Sequence, residues 1–167
     1  MKTATQSFVN LTAADVMSRA VVCIPQAMSL QGAARLLSRS GITGAPVVNL
    51  EGRCVGVLSS TDFVAWAEKG ERAANKTAGC DCDYHSPWQI MDIDALPQDQ
   101  VYQHMTADPV VVSPKTPITE LAQMMVDAHI HRLIVADENG RPTGIVSSTD
   151  ILAAVAAAAP HRAVMKT

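Results

Sequence analysis

Apolar positions along this chain follow two alternating rhythms, and the same succession of rhythms occurs twice. Val21-Val-Cys-Ile24 is a short β-rich run, after which Leu30, Ala33, Ala34, Leu36 and Leu37 recur at the spacing of one helix face. Ala45-Pro-Val-Val48 reads as a strand, Asn49-Leu-Glu-Gly52 as a turn, and the following residues as a second strand that closes a hairpin. The second pass has Val110-Val-Val-Ser113, then Ile118, Leu121, Ala122, Met124 and Met125 at helical spacing, with Pro117 suited to a helix start. Leu133-Ile-Val-Ala136 and the turn Asp137-Glu-Asn-Gly140 repeat the hairpin. Helices over Phe63 to Glu68 and Ile151 to Ala159 complete an order of β-α-β-β-α in each pass, an α/β (α+β) fold class.

The two passes align without a gap from Met17 on Met105 to Ala65 on Ala153, a shift of 88 residues. The densest match sets Gly56-Val-Leu-Ser-Ser-Thr-Asp62 on Gly144-Ile-Val-Ser-Ser-Thr-Asp150. Each copy is only about fifty residues, a size at which a single core is marginal, so the copies are expected to bury their apolar faces together. The expected organisation is a first domain over 12–68, a connector over 69–100 and a second domain over 101–159.

With 48% apolar and 17% charged residues the composition is that of a folded soluble protein. Thirteen basic against sixteen acidic residues give a net charge of −3, without the cationic footprint that nucleic acid requires. The longest apolar stretch, Ile151 to Ala159, falls short of the ~18 residues of a membrane span. Four cysteines and no visible secretory leader place the expected compartment in the cytoplasm.

Ser-Ser-Thr-Asp between a strand and a helix carries two chemistries. Ser, Thr and Asp are the residues that cap helix N-termini, so capping alone accounts for one tetrad. Two identical tetrads in copies that otherwise diverge point to a shared ligand role as well. A carboxylate beside the helix start repels phosphate, whereas the vicinal diol of a ribose can donate to Asp62 or Asp150. The phosphate then lies toward Ser147 and Thr149, where Arg132 offers a planar fork of donors; the alternative for Arg132 is an exposed side chain near a turn.

The twice-repeated Gly-apolar-x-Ser-x-Thr-Asp pattern resembles the tandem cystathionine-β-synthase (CBS) domain pair, or Bateman module, over residues 12–159 apart from the connector. His131-Arg-Leu-Ile-Val-Ala-Asp-Glu-Asn139 also looks like the matching segment of adenine-nucleotide-sensing members, including the γ subunit of AMP-activated protein kinase. The resemblance implies a pseudo-two-fold pair with a ligand cleft at each tetrad. One cleft would combine Ile145, Ser147, Thr149, Asp150 and Arg132 with Val22 and Thr43; the other Val57, Ser59, Thr61 and Asp62 with Val110 and His131. The first copy departs from the pattern, having Thr43-Gly44 where the second has His131-Arg132, so weaker phosphate binding or an empty cleft is expected at Asp62.

The resemblance further implies a non-catalytic sensor of AMP, ADP or ATP, with S-adenosylmethionine as another candidate ligand and no obligatory cofactor. CBS modules commonly pair into homodimers, and the all-apolar helix Ile151 to Ala159 agrees with a covered face. The output would pass to an unidentified effector protein. Two other readings stay open: an interaction adaptor with vestigial clefts, and a small metal-dependent enzyme. A Ser-His-Asp triad through His131 lacks a nucleophile turn and an oxyanion hole. His129 and His131, two residues apart, would share a face on a strand. In the connector, Cys80, Cys82 and His85 have zinc-ligand chemistry, but Cys-x-Cys is not the usual spacing; redox-sensitive thiols and an ordinary acidic loop are the alternatives.

Overall fold

The computed structural model of the chain describes residues 8–71, 93 and 96–158. The connector candidates Cys80, Cys82 and His85 therefore lie outside the described residues, as does Ala159. Among the described residues the chain forms α1 (Ala13–Val16), β1 (Ile24–Pro25), α2 (Leu30–Ser40), β2 (Gly44–Val48), β3 (Cys54–Ser59) and α3 (Ser60–Glu71). A 3-10 turn (Val101–Gln103) is followed by β4 (Thr106–Ala107), β5 (Val111–Val112), α4 (Ile118–Asp127), β6 (Arg132–Ala136), β7 (Pro142–Ser147) and α5 (Ser148–Ala158).

Sequence copies and compact units do not coincide. One unit runs Val22–Pro109; the other joins the described residues up to Val21 to those from Val110. Within the Val22–Pro109 unit the sheet order is β1-β2-β3-β4, with β1 and β2 parallel and the other two pairs antiparallel. The fourth strand is thus the segment that leads the second copy, with Thr106 opposite Val57 and Ala107 opposite Gly56. Residues 99–102 are laced to the same unit, the Leu30 N–H donating to Asp99 O at 2.8 Å and the Val101 N–H to Met28 O at 2.8 Å.

The other unit repeats the arrangement. Its sheet order is β5-β6-β7, β5 and β6 parallel, β6 and β7 antiparallel. Ser18 bridges to Ile145 where Thr106 pairs with Val57, and Ala13 N–H donates to Thr116 O at 2.8 Å where Val101 meets Met28. Glycine enables both edges. A Cβ on Gly56 would meet Met105 Sδ at 2.6 Å and Thr106 O at 2.8 Å, and one on Gly144 would meet the Met17 side chain.

Local chemistry explains the elements. Ser29 caps α2, its hydroxyl accepting from the Gly32 N–H at 3.1 Å. Pro117 stands one place before the helix, at the N-cap of α4, rather than as its first helical residue. The hairpin turns are held by Asn49 Oδ1, which accepts from the Glu51 and Arg53 N–H groups at 3.1 and 2.9 Å, and by Asp137 Oδ1, which accepts from Asn139 and Arg141 at 2.9 Å each. Gly52 and Gly140 close these turns at φ 77° and 75°. These backbone N–H groups, that of Arg141 first, hold the Asp137 carboxyl below its ordinary value.

The outer strands are shorter than the β-rich runs Val21 to Ile24 and Val110 to Ser113 suggest: of the first run only Ile24 pairs with the sheet, followed by Pro25, and of the second only Val111 and Val112. His129 and His131 share no strand face: β6 begins at Arg132, and His129 turns the chain at φ 53°, the place Gly41 fills at φ 64° in the first copy. Ile24, Leu30, Leu37, Val47, Leu58 and Phe63 centre the core of the Val22–Pro109 unit, and Ala13, Leu121, Leu133, Val135 and Val146 that of the other.

Candidate ligand-binding site

Each tetrad sits where the last strand of a hairpin becomes a helix. The first helical N–H is drawn to the start of the hairpin: Ser60 N–H donates to Thr43 O at 2.9 Å, Ser148 N–H to His131 O at 3.0 Å. This explains why Thr43 and His131 stand beside the tetrads of their own copies, although the family resemblance assigns each to the other tetrad's site. Val22 and Thr43 lie in the unit that carries Val57, Ser59, Thr61 and Asp62; Val110 and His131 lie in the unit that carries Arg132, Ile145, Ser147, Thr149 and Asp150.

Both aspartates cap their helices. Asp150 Oδ2 accepts from the Ser147 N–H at 2.7 Å and from the Ser147 hydroxyl at 2.5 Å, while the Asp150 N–H donates to Ser147 Oγ at 3.3 Å. This is a reciprocal capping box with aspartate as its acidic member. Asp62 Oδ2 likewise accepts from the Ser59 N–H and hydroxyl, at 2.7 and 2.9 Å. Thr61 and Thr149 are exposed and near the capping serines, with Oγ to Oγ1 separations of 2.7 and 3.3 Å.

Capping occupies one carboxylate oxygen, and the second distinguishes the copies. Asp62 Oδ1 accepts from the Thr106 hydroxyl at 3.0 Å. Among the described residues no hydrogen bond reaches the corresponding oxygen of Asp150; Ser18, the residue aligned with Thr106, bonds Ile145 through its backbone. Sequence reasoning missed Thr106 because it belongs to the second copy by position and to the first tetrad by contact. The signal was available in the repeat itself, which already begins at Met17 and Met105, ahead of the first recognisable strands.

The cation predicted beside the phosphate is in register with the tetrad. Arg132 lies directly opposite Ser147 across β6 and β7, and is exposed. The equivalent pair in the first copy is Gly44 opposite Ser59, where a Cβ would stand 3.1 Å from the Ser59 Cβ and 3.2 Å from Leu58 O. A side chain at position 44 is therefore crowded as well as missing. Ile145 and Val57, two residues before the capping serines, are half-buried on the same strands.

Among the described residues Cys54 begins β3 and Cys23 stands just before β1, both half-buried. Burial pushes the Cys23 and Cys54 thiols above their ordinary values, and the Cys54 thiol donates to Gly56 O at 3.5 Å. Among the described residues no cluster of His, Cys, Asp or Glu has the makings of a metal site.

The model of the CBS domain matches the chain twice, over residues 13–69 and 100–157. Among curated proteins, homoserine O-acetyltransferase of Methanococcoides burtonii is 30% identical over 138 residues, which cover 83% of this chain and 23% of that enzyme. The chain also spans only 45% of the length of an uncharacterized Methanocaldococcus jannaschii protein, MJ1225, to which it is 29% identical over 138 residues. Among solved structures, CBSX2 in complex with AMP superposes with a TM-score of 0.66 at 23% identity, covering 87% of this chain and 96% of that one. The CBS domain pair of MJ0100, in complex with 5′-methylthioadenosine and S-adenosyl-L-methionine, gives 0.65 at 20%, covering 86% and 98%. With the β-α-β-β-α order and the Ser-Ser-Thr-Asp cap present in both copies, the chain belongs to the CBS domain family, as a tandem pair of the Bateman type.

Proposed function

We propose that this chain is a non-catalytic regulatory module that binds an adenosine-containing ligand of the AMP, ADP or ATP type and signals its presence to a separate effector protein. The observation that carries this reading is the Asp150 capping box, which leaves one carboxylate oxygen open to a ribose hydroxyl while Arg132 stands in register with Ser147. The site is then read outward from sugar to phosphate: Asp150 accepts from the diol, and Ser147, Thr149 and Arg132 surround the phosphate. Ile145 lines the approach. The residues assigned by resemblance from the other copy belong to the same proposal, Val22 and Thr43 with Asp150, Val110 and His131 with the tetrad Val57, Ser59, Thr61 and Asp62. AMP in CBSX2 and S-adenosyl-L-methionine in MJ0100 support an adenosine ligand as the common chemistry. The match to 23% of the length of a homoserine O-acetyltransferase supports the idea of an effector.

For a signal to result, the ligand must bind one arrangement of the pair more tightly than another. Pairing of two chains through α5 is part of the reading, supported by Leu152 and Val155, which are 64% and 46% exposed.

Thermal denaturation with adenosine, AMP, ADP, ATP and S-adenosylmethionine tests the proposal. A ligand at 100 times its Kd adds about 2.7 kcal/mol, a midpoint rise of roughly 5–10 °C for a chain of this size. Arg132→Ala should weaken AMP and ATP far more than adenosine; equal losses for all three would refute the phosphate role. The capping geometry is also compatible with one rival, an interaction adaptor whose tetrads only start helices, and a midpoint unmoved by the whole panel would count against the sensor and in favour of that rival.

A further inference from the structure

We infer that Thr106 is an internal occupant of the Asp62 site, so that the chain takes up one nucleoside, at Asp150, and holds its second site closed by its own hydroxyl. The inference rests on the adenosine reading and deepens it by assigning the asymmetry to a residue. Asp62 Oδ2 is spent on the Ser59 N–H and hydroxyl at 2.7 and 2.9 Å, and its Oδ1 accepts from Thr106 Oγ1 at 3.0 Å. Of about four acceptor positions on the carboxylate, Ser59 takes two at Oδ2 and Thr106 one at Oδ1, so a ribose diol with two hydroxyls to donate finds room for one and must displace the threonine to bond through both.

The hydroxyl is held in place by backbone. Thr106 is paired with Val57 in β4, two residues before the capping Ser59, and Ala107 is paired with Gly56. The absence of a side chain on Gly56 is what allows this approach, because a Cβ there would stand 2.8 Å from Thr106 O. In the second copy the aligned residue is Ser18, bridged to Ile145 through its backbone in the same manner, yet among the described residues no hydrogen bond joins its hydroxyl to Asp150. The copies thus share the edge strand and differ in whether that strand reaches the carboxylate. The missing cation at Gly44 weakens phosphate binding at the first tetrad, whereas Thr106 acts on the sugar, so the two effects separate with a ligand that has no phosphate.

Isothermal titration with adenosine, on the full chain and on Thr106→Val, reads this directly. Threonine and valine are close in shape and both suit a strand, so the variant removes the hydroxyl and leaves β4 paired. The wild-type protein should bind one adenosine per chain, and Thr106→Val a second, with affinity at the Asp62 site raised about tenfold by loss of a competing bond to a charged acceptor. A crystal of the variant grown with adenosine should show the second molecule at Asp62. Two equal adenosine sites in the wild type, or one site unchanged in Thr106→Val, would overturn the inference while leaving the adenosine reading standing. Silence of both proteins toward adenosine and AMP would instead remove that reading, and this inference with it.

Discussion

Replacing the two aspartates one at a time should produce opposite rankings in the free and the liganded protein. In the free protein Asp150→Ala removes a carboxylate that accepts twice from Ser147 and faces a helix N-terminus. Capping and helix-end electrostatics together make this worth about 1.5 kcal/mol, a fall in midpoint of roughly 3–6 °C. Asp62→Ala removes the equivalent cap and the Thr106 bond besides. An exposed bond of that kind adds about 0.5–1 kcal/mol, so this variant should melt a further ~1–3 °C lower. With ligand the order reverses. Loss of the ribose bonds at Asp150 costs about 1.4–2.8 kcal/mol, a tenfold to hundredfold drop in affinity. At a concentration that stabilises the wild type by about 2.7 kcal/mol, Asp150→Ala should therefore retain only about 0.4–1.4 kcal/mol, and Asp62→Ala nearly all of it. Differential scanning fluorimetry with and without AMP supplies both rankings from one plate. The same ranking in both arms, or a full AMP shift in Asp150→Ala, would show that the carboxylate is a helix cap alone.

Three further outcomes follow from other parts of the structure. Gly56→Ala should destabilise by about 1–3 kcal/mol and more than Gly144→Ala, because its new Cβ meets the Thr106 carbonyl as well as a flexible methionine; urea denaturation of the two variants decides it. The Asp137 carboxyl, lowered from 3.8 by the Arg141 and Asn139 N–H groups, stabilises the fold above the ordinary aspartate value, and that contribution is withdrawn as pH falls through the depressed one. Asp137→Asn should accordingly be less stable than wild type at neutral pH and converge on it in acid, measured by denaturation midpoints across pH 2–7, roughly the span of carboxylate titration. The proposed pairing through α5 predicts a wild type that is dimeric in light scattering and a Leu152→Glu variant that is monomeric with adenosine affinity unchanged; a monomeric wild type would dispose of the pairing.

Much of this was readable from residues alone, because the long elements carry their own periodicity. Leu30, Ala33 and Leu37 announce α2, and the runs around Val47, Leu58, Leu133 and Val146 announce strands whose apolar side chains fill two cores. The tetrads announce a helix start by the same chemistry that now shows in their hydrogen bonds. What escaped was carried by elements too short to have a period. A two-residue strand such as Thr106–Ala107 has no alternation to detect, and a single bridge at Ser18 has none either. Their placement is decided by partners 44 to 127 residues distant, from Asp62 to Thr106 and from Ser18 to Ile145. His129 escaped for a different reason: a left-handed turn announced by Gly41 in one copy is occupied in the other by a residue that gives no such notice.

The lending of each copy's leading segment to the other compact unit changes what a half of this gene is worth. Severing the coding sequence midway between the repeats would give one product without the strand that edges its sheet and another without the stretch that bridges to Ile145. Val22–Pro109 is the contiguous piece that carries all four strands of its sheet, and no single cut elsewhere yields the counterpart. Duplication wrote the message twice in a row, but inheritance of a working sheet requires passing both messages on together.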